Sequence, residues 1–407
     1  MALLSPPGAE GFDDLDEQWL RSRPGLKWAR ADDGVLPSWV ADMDFPAPRP
    51  VVEALVRLAA GGDLGYPTGA DVALLEEKWA ARMAARYLWD PAPGQLRALS
   101  DTVQAVHVLL ELASSPGDGV LMLTPSYPSF VSTLEEMGRR LLPVPAVPAE
   151  ANWAFDLDAA AASAHEAKVL LLVNPHNPTG RILDRSELSA LGELAERYDL
   201  LVISDEIHAD LALSERAHIP FASLSEDLAA RTVTLYSASK AYNLGGMCCA
   251  VAHIGAPNAA RQFTDMQHTL GRVSIAAVAT TLASWSPEGD AWLERCLARL
   301  RANRELLGHW LGASAAGGGA GVQGYLPEAT YLSWLDFRAA GLGDDPAEWL
   351  LSEARVMLSA GPGFGPGGAG FARLNFATTP QILSEILGRT AGALRRRDVE
   401  GEKTPLD

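Results

Sequence analysis

Four short polar segments carry residue types that chemistry needs. Asn174-Pro175-His176-Asn177-Pro178-Thr179-Gly180 offers amides and an imidazole, and Asp205-Glu206-Ile207-His208 offers two carboxylates and a second imidazole. Ser237-Ala238-Ser239-Lys240 adds hydroxyls and an amine, and Thr124-Pro125-Ser126-Tyr127-Pro128 adds a phenol ring. A lysine amine can condense with an aldehyde, a carboxylate can keep a pyridine nitrogen protonated, and an aromatic ring can stack on a heterocycle. That set suits an aromatic heterocyclic cofactor held as a Schiff base. A phosphate on it would find backbone amides and hydroxyls near Asp101, Thr102 and Val103, where a helix pattern begins. Singly, each segment has a plainer reading: a solvated lysine, an N-cap aspartate, a turn of Asn-Pro and Thr-Gly. Their order along the chain argues against coincidence.

The elements that must position these groups are legible. Gly119–Leu123, Lys168–Val173, Leu200–Ser204 and Thr232–Tyr236 are compact apolar runs, each followed by one of the four polar segments. Such runs read as strands buried on both faces. Between two of them, Asp184 with Glu187 three residues later predicts a capping box, followed by Leu188, Leu191, Leu194, Ala195 and Tyr198 at helical spacing. Strands alternating with helices predict βαβ units and a mainly parallel sheet, whose chemistry collects at the carboxyl ends of the strands. Further helices are expected after Ser100, over Trp292–Leu311 and over roughly Pro380–Arg397. A glycine-rich break at Ala315–Gly321 precedes a strand-like Thr330–Phe337. The expected division is a large α/β domain at 49–290, a smaller α+β domain at 291–407, and an N-terminal segment, 1–48, packed against the smaller one.

The 407 residues provide for a large core, and 48% apolar with 21% charged residues is ordinary for a globular chain. A net charge of −18 argues against a nucleic-acid backbone or an anionic membrane as main partner. Three cysteines, Cys248, Cys249 and Cys296, without CxxC spacing support neither a disulfide framework nor a zinc site, and no metal is expected. Met1–Glu10 carries no basic residue and no long apolar stretch, so no signal peptide is expected and the cytoplasm is the expected compartment. No GxGxxG follows an N-terminal strand, which disfavours a dinucleotide-dependent dehydrogenase.

With these motifs in hand, the chain resembles the pyridoxal-phosphate (PLP) enzymes of fold type I, in the class I/II aminotransferase superfamily, over nearly its full length. The resemblance implies a seven-stranded, mainly parallel sheet between helices. It implies that Lys240 bonds the cofactor aldehyde and shuttles the proton, and that Asp205 pairs with the pyridinium nitrogen. Asn177 would bond the ring's 3′-oxygen with His208 close by, and Tyr127 would stack on the ring. Ser237, Ser239, Asp101, Thr102 and Val103 resemble the phosphate cup. Gly370-Phe371-Ala372-Arg373-Leu374-Asn375 matches the segment whose arginine clamps the substrate α-carboxylate, so that role falls to Arg373, whose guanidinium holds a carboxylate in two parallel hydrogen bonds.

The N-terminal third narrows the resemblance. Lys27-Trp28, the run 36–46 (LPSWVADMDFP) and Gly65-Tyr66-Pro67 look like the MalY/PatB branch of cystathionine β-lyases and cysteine-S-conjugate lyases. The 330–336 run (TYLSWLD) and Gly363-Phe364-Gly365 fit it too. Tyr66 then matches a tyrosine that reaches into the neighbouring subunit's site, implying a homodimer, and Asn177, Tyr66 and Ala41 would join Arg373 at the substrate. The implied reaction is α,β-elimination from an S-substituted L-cysteine; an aminotransferase is the runner-up, and decarboxylation or oxidative deamination of the same substrate is a third reading. A regulatory PLP-binding protein is a fourth, of another class. Two departures mark this chain: Asp101 where many relatives have a glycine-containing turn, and Ala29-Arg30 where an acidic residue commonly follows the tryptophan. Cys248 also occupies the place where many aminotransferases carry a phosphate-binding arginine.

Overall fold

The computed structural model describes residues 11–150, 152–265, 273–314 and 321–401. The first ten residues, read above for a leader, and all of the glycine-rich break but Gly321 lie outside the described residues. The four predicted strands form, as Gly119–Thr124, Ala167–Val173, Leu201–Asp205 and Thr232–Tyr236. All four are buried end to end apart from Lys168 and Leu201, as their uninterrupted apolar sequences require.

They sit in one sheet with spatial order Leu96–Leu99, Ala250–Ile254, Thr232–Tyr236, Leu201–Asp205, Ala167–Val173, Gly119–Thr124, Arg140–Pro148 and Trp153–Phe155. The five strands from Thr232–Tyr236 to Arg140–Pro148 are mutually parallel; the remaining three join antiparallel. The sheet thus has eight strands where seven were expected. The extra one, Trp153–Phe155, pairs with Ala146–Pro148 at the sheet edge, and three residues are too few to show a strand period in sequence. Helices cover the sheet. The capping box forms, with Asp184 accepting from the Glu187 N–H and Glu187 from the Asp184 N–H, and the helix it starts, Arg185–Arg197, buries Leu188, Leu191 and Ala195.

Chain order reverses between two neighbours. From Gly119–Thr124 the chain steps outward to Arg140–Pro148, then returns to the other side of Gly119–Thr124 and proceeds through Ala167–Val173 to Thr232–Tyr236. The crevice at the carboxyl ends of such a switch point is where open α/β sheets bind ligands. Tyr127 follows one of these two strands and Asn177 the other.

A second, antiparallel sheet places Phe371–Asn375 between Leu332–Asp336 and Ser359–Ala360, with Gln323–Gly324 at the edge. The helix Pro287–Ala313 precedes it and Pro380–Gly401 ends the described chain, both longer than their sequence patterns suggested. Leu36–Pro37 pairs in parallel with Val356–Met357, and Asn375 Nδ2 donates to the carbonyls of Val40 and Asp42 at 2.7 and 2.6 Å. The strap 36–45 is thereby hydrogen-bonded to the second sheet. Asn243 holds it on the other side, donating to the carbonyls of Met43 and Phe45 and accepting from the Met43 N–H. Among the described residues no helix is long and apolar enough to cross a membrane.

Candidate active site

A cavity of about 640 Å³ opens at the carboxyl ends of the parallel strands, between the two sheets. Every site residue singled out from sequence lines it except Tyr66. Register explains the convergence: Val173 is paired with Asp205 and Asp205 with Leu235, so the three strands end level and the residues just beyond them share one rim.

Lys240 lies half-buried on the cavity wall, and its Nζ donates to the carbonyl of Ala41 at 3.1 Å. Burial depresses its pKa, reinforced by the Arg373 charge and opposed by Asp42 and Asp205. Asp205 is buried, accepts from the Ile207 N–H at 3.2 Å, and forms no ion pair among the described residues. Burial pushes its carboxyl up to about 7, with the neighbouring Glu206 adding to the rise. Glu206 is occupied elsewhere: it accepts from Ser204 Oγ and the Phe221 N–H and pairs with His218 at 2.9 Å, all buried. It is a structural carboxylate.

Arg373 is buried and charged, with no carboxylate in salt-bridge reach among the described residues. Its guanidinium donates to Asn177 Oδ1 at 3.0 Å, to the Trp39 carbonyl at 2.9 Å and to Ser359 Oγ at 3.1 Å. Nε, also buried, has no partner, and desolvation lowers the group's pKa to about 10. The Phe364 ring lies 5.0 Å from its Cζ. His208 is buried, and burial with the nearby Lys240 and Arg373 charges lowers its pKa to about 3, so its imidazole is neutral.

At the other end of the cavity the helix Thr102–Ala113 points its N-terminus inward. Asp101 is its N-cap, and its side chain accepts from the Gln104 N–H at 2.7 Å. The carboxylate is therefore spent on the helix, while the amides of Thr102 and Val103, which have no intrahelical acceptor, stay available. Ser237 donates to the Cys249 carbonyl at 2.5 Å and accepts from the Ser239 N–H at 3.0 Å, so its hydroxyl proton is also committed. Cys248 and Cys249 line the cavity as well, and among the described residues the arginines that line it are Arg30 and Arg373.

Some placements differ from what motif reading suggests. His176 lies outside the cavity lining: its Nδ1 is 2.8 Å from Thr179 Oγ1 and its ring packs on Phe155. It closes the turn ahead of Gly180, where a Cβ would come within 2.3 Å of Pro327. Tyr66 is 79% exposed and does not line its own chain's cavity. Tyr331, Ser359 and Trp39 were not singled out as site residues, yet Tyr331 bonds Ala41 and the other two bond Arg373, while Asn243 ties down Met43 and Phe45 beside them. Tyr331 OH donates to the same Ala41 carbonyl as Lys240, at 3.0 Å. For Trp39 and Tyr331 the signal was their position inside the 36–46 and 330–336 runs, where a packing role looked sufficient; Asn243 and Ser359 lie outside every motif.

Comparison with known proteins follows the same lines. The aminotransferase class I and II family model matches residues 40–389. Cystathionine beta-lyase PatB of Bacillus subtilis is 33% identical, over 94% of this chain and 99% of PatB. The crystal structure of OvoB superposes with a TM-score of 0.87 at 34% identity, covering 94% of this chain and 98% of that one. The PLP-bound C-S lyase from Staphylococcus hominis superposes with a TM-score of 0.86 at 26% identity, covering 94% and 98%. This chain belongs to the aminotransferase class I and II family, in the branch that contains PatB.

Proposed function

We propose that the cavity holds PLP and an S-substituted L-cysteine, and that the protein is a C–S β-lyase releasing thiol, pyruvate and ammonia with consumption of one water. One observation carries the reading: a buried carboxyl without a cation, Asp205, and a buried guanidinium without an anion, Arg373, face one cavity beside a lysine of depressed pKa. Unpaired buried charge is costly, and a pyridinium and an α-carboxylate are the two complements. The residues fit the cofactor: Lys240 for its aldehyde, Asp205 for its ring nitrogen, Asn177 for its 3′-oxygen, Tyr127 against its face, and the Thr102 and Val103 amides with Ser239 for its phosphate.

When bound, PLP supplies an electron sink for the pair left by a broken Cα–H bond. Lys240, its pKa lowered by burial, takes the Cα proton as general base. Asp205 holds the proton at the ring nitrogen. Arg373 fixes the α-carboxylate and so the direction of the Cα–H bond. The thiolate leaves from Cβ, aided by a reference thiol pKa of about 8.5. His208, being neutral, offers a hydrogen bond near the 3′-oxygen without adding charge.

We further propose a cytoplasmic homodimer, built from a large domain to about residue 290 and a smaller one after it, in which Tyr66 serves the neighbouring copy's site. Supporting this, Val52, Val56, Leu64, Tyr66 and Leu74 form a run of exposed apolar residues. Mixing Tyr66→Phe with Lys240→Ala chains would restore about a quarter of wild-type activity, since half the dimers then carry one intact site of two.

The defining experiment incubates the PLP-loaded protein with an S-aryl-L-cysteine and no oxo acid. Free thiol with pyruvate is the expected outcome. An intact 2-oxo acid still carrying the sulfur would replace the lyase by an aminotransferase.

A further inference from the structure

The cavity wall holds a third cation that the reaction does not use. Arg30 ends the short helix Leu26–Ala29, is exposed at the cavity, and lays its guanidinium over the Trp39 ring, 4.9 Å from the centroid. Trp39 is itself pinned, its Nε1 donating to the Lys27 carbonyl at 3.3 Å. Among the described residues the Arg30 side chain makes no ion pair and donates no hydrogen bond, so its N–H donors are open. Of the two carboxylates lining the cavity, Asp101 caps its helix and Asp205 lies at a strand end, and neither pairs with Arg30. Trp39 therefore carries two guanidinium groups: Arg373 on its carbonyl and Arg30 on its ring. Leu351, Met357 and Leu358 line the same cavity and suit hydrocarbon rather than charge.

Resting on the lyase reading, we propose that the preferred substrate is an S-conjugate whose leaving thiol bears a second carboxylate at the end of an apolar spacer, held by Arg30. A guanidinium stacked on an aromatic ring keeps its edge N–H groups free for a bidentate carboxylate. The short strap between Arg30 and Trp39 fixes that site relative to the α-carboxylate clamp.

The test separates this from the reaction. Holoenzyme binding is measured by calorimetry for L-2-aminosuberate and L-2-aminooctanoate, carbon isosteres that differ only in the distal carboxylate and have no sulfur to lose. Wild type is expected to favour the diacid by roughly five- to tenfold at low salt, less at 0.5 M KCl. Arg30→Gln brings the ratio to about one and Arg30→Lys leaves part of it. A ratio near one in wild type, or a preference that survives Arg30→Gln, overturns the proposal. Pyruvate release from S-(3-carboxypropyl)-L-cysteine is followed in parallel. No pyruvate with an intact binding preference would remove the lyase reading and leave the Arg30 site standing.

Discussion

Arg373 Nη1 donates to Asn177 Oδ1 at 3.0 Å, across 196 positions of sequence and from one sheet to the other. Because a guanidinium only donates, this bond fixes the amide of Asn177: its oxygen faces the arginine and its NH₂ remains a donor. One residue thereby tunes two sites. Its oxygen partly satisfies the guanidinium, and its nitrogen stays a free donor, as the proposed bond to the cofactor's 3′-oxygen requires.

Asn177→Asp exploits that geometry. The new carboxylate supplies the anion that Arg373 lacks, so the cofactor-free protein should gain on the order of 1 kcal/mol, seen as a raised melting temperature. Activity should move the other way. With its charge already paired, Arg373 binds the α-carboxylate poorly, and kcat/KM should fall about 100-fold, mainly through KM. A variant that loses stability, or keeps KM, would contradict the role given to this pair.

Arg373→Lys tests the planarity of the clamp. The guanidinium reaches Asn177, Trp39 and Ser359 at once; a lysine ammonium has neither the reach of the fork nor its two parallel donors. A loss of about 100-fold in kcat/KM is expected, led by KM, with the PLP absorbance of the loaded protein little changed. An unchanged KM would place the substrate carboxylate elsewhere.

Much of this arrangement was legible because strand-end residues are local. A buried parallel strand is an uninterrupted apolar run, and the polar residues just after it lie at the crevice, which is how Asn177, Asp205 and Lys240 were found. Three things were hidden. The Trp153–Phe155 strand is set by pairing with a neighbour rather than by its own period. The spending of Asp101 and the Ser237 hydroxyl on backbone partners depends on geometry, since composition shows only that they can donate or accept. The strap contacts of Asn243, Tyr331 and Ser359 join residues hundreds of positions apart. No pattern along the chain encodes them without the fold.

Asn243→Ala probes one of those hidden contacts. Asn243 makes three hydrogen bonds to Met43 and Phe45 and has a left-handed backbone, φ 57°. Removing them should cost about 2–4 kcal/mol, measurable by urea unfolding. Asn243→Gly keeps the backbone relaxed but loses the same bonds, so it should recover only the part due to strain, roughly 1 kcal/mol. Both should weaken PLP binding, because the strap that Asn243 ties down presents the Ala41 carbonyl to Lys240. Full cofactor affinity in a destabilised variant would confine Asn243 to the scaffold.

Asp205→Asn reads the buried carboxyl directly through pH. In the cofactor-free protein the Asp205 carboxyl is pushed up to about 7, whereas an unfolded aspartate titrates near 3.9. Between those values the folded chain keeps a proton that the unfolded chain has released, so this residue's contribution to stability falls as pH rises. The loss is nearly complete by pH 8, where it amounts to on the order of 4 kcal/mol relative to acid pH. Asparagine does not titrate. The melting-temperature gap, variant minus wild type, should therefore widen from pH 4 to pH 8 without PLP, and both curves share the contribution of His208, which cancels in the difference. Adding PLP should close or reverse the gap, since a protonated ring nitrogen gives Asp205 the cation that the protein withholds. A gap independent of both pH and cofactor would mean that Asp205 does not face the ring nitrogen.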